Sequence, residues 1–237
     1  MTQPSATRQR WLAEAKDVVG ACPVPHHEPP ALMRRRRIVV AIVLVIGGAL
    51  LGYSLTRPPG DSSFYWLTLA LAAVWAVGAL ASGPVHLGCI RFRGRNQRPW
   101  LTGTAVGLAL GAVFVVGGLI AREIPPVREY ITRVLEFADY GPLLLVTFIT
   151  VVNGVAEEMF FRGAAYDALP RHPVLWTTVA NAVATAAAGN LMLAFAALLL
   201  GAVVGLERRA TGGITAPVLT HVTWSVTMLF ALPALFG

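Results

Sequence analysis

Seven apolar runs, each long enough to cross or nearly cross a bilayer, follow one another along the chain at about 38–55, 63–82, 100–121, 141–160, 173–189, 190–206 and 214–235. Their length and continuity predict an all-α, polytopic membrane bundle of about seven transmembrane helices. The fifth and sixth runs are short and meet at Gly189-Asn190, which predicts a tight helical hairpin or a pair partly buried in the bundle. Between the third and fourth, residues 122–139 set Arg122, Glu123, Arg128, Glu129, Arg133 and Glu136 among apolar residues at helical spacing. That segment reads as an amphipathic helix at one interface or as a solvated loop helix.

Three regions follow from this pattern. Residues 1–37 combine mixed charge, a Cys-Pro-Val-Pro-His-His-Glu-Pro-Pro run and the basic block Arg34 to Arg37, and have too little apolar content to fold alone. They read as a disordered, basic cytoplasmic tail. A signal peptide is the competing reading, but the run from Ile38 to Leu55 is long and no Ala-x-Ala site follows it, so a retained anchor is favoured. Residues 38–139 hold the N-terminal spans and the interfacial helix, and residues 140–237 form a C-terminal membrane core.

Composition strengthens the membrane reading. With 56% hydrophobic and 13% charged residues and a mean hydropathy of +0.64, one water-soluble core cannot hide the apolar surface of 237 residues. The net charge of +7 does not point to nucleic acid, because the arginines lie in the tail and in short loops beside apolar runs. The basic clusters at Arg34 to Arg37, Arg91 to Arg98, Arg162 with Arg171, and Arg208 with Arg209 all fall on one side of a seven-span layout, and that side is the cytoplasm. The expected location is therefore the cell membrane, multi-pass, with the N-terminus inside and lipid as the surrounding partner. Cys22 and Cys89 offer neither a disulfide framework nor a metal spacing and are expected to be reduced. Glycines four apart, at Gly48 and Gly52, at Gly103, Gly107 and Gly111, and at Gly201 and Gly205, predict close helix packing. There is no internal repeat and no matched pair of broken helices of the kind transporters use.

The chemistry is concentrated at Glu157-Glu158-Met-Phe-Phe-Arg162. Ionisable groups at membrane depth cost a few kcal/mol each and persist where they are paired or reactive. On a helix Glu158 and Arg162 stand four apart and can pair, while Glu157 points about 100° away. One carboxylate reads as structural and the other as available for general-base work. His221 falls at similar depth in the last span and can donate to a developing oxyanion, so a carboxylate-activated water attacking a carbonyl is the chemistry on offer. A plain helix-end salt bridge and a hydrogen-bonded packing histidine are the alternatives. Metal binding is poorly supported, with no His-Glu-x-x-His and with His26, His27, His86 and His172 in loops or tail. No cofactor is expected.

Asn153 to Gly163 resembles the first motif, Glu-Glu-x-x-x-Arg, of the CAAX protease and bacteriocin-processing family of intramembrane endopeptidases. Gly201 to Gly205 followed by Arg209 to His221, with its Thr-Gly, Ala-Pro and His, resembles the family's last motif region, and together the likeness covers roughly residues 140–235. The resemblance implies a glutamic peptidase in which Glu157 activates water, Glu158 supports it, Arg162 orders the helix end and His221 stabilises the oxyanion. Substrates in that family are peptides or proteins at the membrane, prenylated proteins among them. The middle motif, Phe-x-x-x-His, has no histidine here, and Asn190 is the polar residue nearest its expected place. The last motif, His-x-x-x-Asn or Asp, ends in Ser225.

The leading expectation is thus an intramembrane endopeptidase with Glu157, Glu158, Arg162, His221, Asn190 and Ser225 at its site. A family member of reduced activity acting as an immunity or scaffold protein is the alternative, and a small transporter subunit is a third reading.

Overall fold

A computed structural model describes residues 28–92, 94–187 and 189–237 of the chain; the expected tail lies largely outside them. Helix α1 (Pro30–Ser54) is followed by α2 (Ser62–Ser82), a two-stranded antiparallel hairpin of β1 (Ile90–Phe92) and β2 (Arg95–Gln97), and α3 (Trp100–Ala121). Then come α4 (Pro125–Asp139), α5 (Leu143–Glu158), a π-helical segment (Met159–Ala165) that runs straight into α6 (Tyr166–Ala168), α7 (Pro173–Ala186), α8 (Leu191–Thr211) and α9 (Thr215–Phe236). Among the described residues six helical stretches are long and apolar enough to cross a membrane: α1, α2, α3, the rod Leu143–Ala168, α8 and α9. The protein is an all-α polytopic bundle.

The fifth expected span is the exception. Helix α7 has 14 residues, about 21 Å at 1.5 Å per residue, which is short of a hydrocarbon core about 30 Å thick. It packs along α8, as the hairpin reading requires. The turn between them is closed by Gly189 at φ 76°, a backbone conformation that suits a residue with no Cβ.

Two boundaries differ from the sequence reading. Helix α1 starts at Pro30, ahead of the apolar run, because proline suits a first helical turn and because Arg36 is buried and paired rather than solvated. The rod of the fourth span does not stop at residue 160 but continues to Ala168, so the Glu-Glu-x-x-x-Arg motif lies inside a helix and not at its end. Cys89, read as a reduced thiol, is disulfide-bonded, which spacing along the chain does not reveal; Cys22 lies outside the described residues.

Small residues set the helix contacts. Gly103, Gly107 and Gly111 of α3 face Ala216, Thr220 and Thr227 of α9, and the Thr220 hydroxyl donates to the Gly103 carbonyl at 2.9 Å. Between α1 and α2 the close approach is made by Gly47 against Trp75 and by Gly78 against Val43; Gly48 faces open space. The buried core around the motif is aromatic: Trp75 of α2 lies 4.6 Å from Phe160 and 5.2 Å from Phe161, centroid to centroid. The Phe-Phe pair between Glu158 and Arg162 therefore fixes the motif against α2. Helix α4 has an apolar side, with Val127, Ile131, Val134 and Leu135 turned to a cavity, and an outer side carrying the exposed Arg133–Glu129 pair, as the amphipathic reading predicts.

Candidate active site

Glu158 is fully buried, and one of its oxygens joins three helical segments. Oε1 accepts from Nη1 of Arg162 at 3.3 Å and lies 2.7 Å from Nδ1 of His221. The i,i+4 pair expected from spacing is present. A carboxylate only accepts hydrogen bonds, so the ring proton of His221 sits on Nδ1 and points at Glu158. Gly154, one turn before Glu158, faces the same ring: a Cβ there would stand 3.6 Å from it, an ordinary van der Waals contact.

Arg162 is anchored twice more. Its Nη2 donates to the carbonyl of Gly201 at 3.1 Å, and its own carbonyl accepts from Nε of Arg208 at 2.7 Å. Arg208 in turn donates to Asp167 Oδ1 at 2.6 Å, while the other oxygen of Asp167 meets Arg36 of α1 at 3.4 Å. Gly201 permits the first contact, because a Cβ on it would come within 2.9 Å of the Arg162 guanidinium.

Glu157 lies apart from this network. It is half-buried, makes no hydrogen bond among the described residues, and senses the charges of His221, Glu158 and Arg162. It lines a cavity of about 750 Å³ together with Asn153, Trp224 and Ser225, with apolar walls from Leu51, Phe114 and the inner side of α4. Asn153, one turn before Glu157, donates to the Ile149 carbonyl at 3.0 Å and keeps a buried Oδ1 without a partner. The indole Nε1 of Trp224 is likewise buried and unpartnered. Unsatisfied polar groups beside an apolar cavity are places where a water or a substrate amide can bind.

The structure does not bring Asn190 to this site. Its Oδ1 accepts from the amides of Met192 and Leu193 as the cap of α8, and its Nδ2 donates to the Tyr130 carbonyl at 2.8 Å. An Asn directly before an apolar helix is the sequence mark of a cap, and that signal was there to read. Three residues outside the expected set stand near the centre. Asp167 and Arg208 hold the π segment, and Glu207, at the end of α8, faces Thr220, senses Glu158 and leaves Oε2 buried and unpartnered. Sequence reading passes over them because they look like the charged ends of spans.

A metal does not suit this centre. The donors Glu158 and His221 are bonded to each other, and a guanidinium occupies the same carboxylate oxygen. Among the described residues the group of three ligand-type side chains whose atoms come within 4.8 Å of one another is Glu28, His86 and Asp167. Arg36 already pairs with both of its carboxylates.

Residues 139–227 match the family model of the type II CAAX prenyl endopeptidases described as Rce1-like. No curated protein and no solved structure matches the chain. The matched stretch contains Glu157, Glu158, Arg162 and His221, on which the motif likeness rests, and Ser225, where the chain departs from the last motif. Over residues 139–227 the chain is therefore similar to the Rce1-like type II CAAX prenyl endopeptidases.

Proposed function

We propose that the protein is an intramembrane endopeptidase in which Glu157 activates the attacking water. The observation that carries this reading is the division between the two glutamates: Glu158 is engaged by Arg162 and His221, and Glu157 stands unpaired on the wall of an apolar cavity. A water held by Glu157 gives its proton to the carboxylate as the hydroxide attacks a peptide carbonyl. Glu158 keeps His221 in one tautomer and stabilises an imidazolium when one forms, so that Nε2–H can donate to the oxyanion. Ser225, one turn after His221, and Asn153 supply further polar atoms on the same wall. The expelled amine takes back the proton held by Glu157. General-base assistance of this kind contributes about 10²–10⁴ in rate.

The cavity favours a substrate whose cleaved segment carries a long apolar group, such as a prenylated C-terminal peptide or a membrane-embedded segment. The basic loops support an orientation with the N-terminus and this site towards the cytoplasm.

A second reading, a family member that holds a membrane peptide without cutting it, draws on one observation: Asn190 is used as a helix cap and supplies no donor at the site. One experiment separates the two. The protein is reconstituted in nanodiscs with a fluorogenic prenylated peptide, and cleavage and peptide binding are followed for wild type and Glu157→Gln. Cleavage lost in Glu157→Gln with binding retained supports the peptidase. Cleavage equal in both proteins overturns the role of Glu157, and binding without cleavage by wild type supports the second reading.

A further inference from the structure

The π segment Met159–Ala165 carries Arg162, and its geometry is fixed from outside by a buried ion network. Arg208 is 3% exposed. Its Nε donates to the Arg162 carbonyl, its Nη2 to Asp167, and its guanidinium lies 4.7 Å from the Tyr166 ring centroid. Asp167 divides its two oxygens between Arg208 of α8 and Arg36 of α1. The last turn of α8, the π segment and α1 are thereby tied at one point. That point is one residue's length from the guanidinium that binds Glu158.

We propose that Arg208 is a positioning residue of the active centre: anchored on Asp167, it holds the Arg162 backbone and so sets where the Arg162 side chain meets the Glu158–His221 pair. This rests on the endopeptidase reading for its kinetic consequence, although the geometry it predicts at His221 does not. The planar fork of arginine is required, because two different nitrogens serve two acceptors at once. A lysine keeps the charge opposite Asp167 but loses the bond to the Arg162 carbonyl. The effect is transmitted by small displacements, and misplacement of a reacting group by about 1 Å can cost 10²-fold in rate.

The test compares Arg208→Lys and Asp167→Asn with the exposed neighbour control Arg209→Lys in nanodiscs. Three quantities are read: kcat and KM for peptide cleavage, the Nδ1–H resonance of His221 in histidine-labelled protein, and the melting temperature. Arg208→Lys is expected to lower kcat about tenfold to a hundredfold with KM within about twofold, and to move the His221 resonance. Asp167→Asn, which leaves the Nε contact in place, should do the same to a smaller degree, and it decides the matter if Arg208→Lys does not fold. Arg209→Lys should match wild type in all three. Wild-type kcat with an unmoved His221 resonance in the folded variants overturns the proposal, as does a loss confined to melting temperature. If wild type binds the peptide without cleaving it, the peptidase reading fails, and the His221 resonance alone decides the role of Arg208.

Discussion

Nδ1 of His221 stands 2.7 Å from Oε1 of Glu158, and that same oxygen is 3.3 Å from the Arg162 guanidinium. The histidine expected to work beside the first glutamate is thus held by the second. The two adjacent carboxylates consequently fail in different ways when altered. Removing the Glu158 carboxylate leaves a buried guanidinium without a counter-charge, which costs about 3–5 kcal/mol. Glu157→Gln breaks no hydrogen bond among the described residues and should shift stability by less than about 0.5 kcal/mol. Unfolding of Glu158→Ala and Glu157→Gln in mixed micelles checks the contrast, and equal destabilisation of both would contradict it.

The Gly201 contact predicts a steric effect on the same pair. A Cβ at Gly201 meets Arg162 at 2.9 Å and Thr178 at 3.1 Å, whereas a Cβ at Gly48 meets nothing within 4 Å. Gly201→Ala should cost about 1–3 kcal/mol by overpacking and reduce cleavage. Gly48→Ala should be neutral or slightly stabilising, since alanine is favoured over glycine in a helix by up to about 1 kcal/mol. Melting temperatures and cleavage rates of the two variants decide this.

Polar residues at the cavity and polar residues at caps should separate cleanly. Ser225→Ala and Asn153→Ala, on the wall shared with Glu157, are expected to lower kcat, with the loss of one oxyanion donor setting an upper scale of about 10²–10³. Asn190→Ala should remove about 1 kcal/mol of stability through the lost cap and leave kcat near wild type. A large kcat defect in Asn190→Ala would show that it works at the site after all.

Side assignment gives a prediction independent of catalysis. Asn96 lies in the exposed β hairpin and Pro58 in the exposed turn after α1. In intact cells a membrane-impermeant maleimide should label Pro58→Cys but not Asn96→Cys, above the signal of the unsubstituted protein. The reverse pattern would invert the orientation derived from the basic loops.

Much of this architecture was legible because bilayers enforce a simple code. The third run, at about 100–121, coincides with α3 (Trp100–Ala121), since uninterrupted apolar length admits one solution. The Glu158–Arg162 pair was legible for the same local reason, an i,i+4 spacing. What escaped depended on partners far away in sequence. Arg36 is buried only because Asp167 comes to it from 131 residues away, and Glu207 joins the centre only because α8 packs beside α9. Asn190 was misplaced for another reason: a position counted from a motif was preferred to the cap chemistry of the residue itself.

The π segment has a consequence for the phase of everything downstream. Each residue that a widened turn absorbs rotates the following helix by about 100° relative to an unbroken α-helix. Deleting a single residue between Met159 and Ala165 would let the rod return to α-helical winding and swing Asp167 round the axis, out of reach of both guanidiniums. The length of that one short segment, more than the identity of any side chain in it, sets which face of the helix the buried ion network can grip.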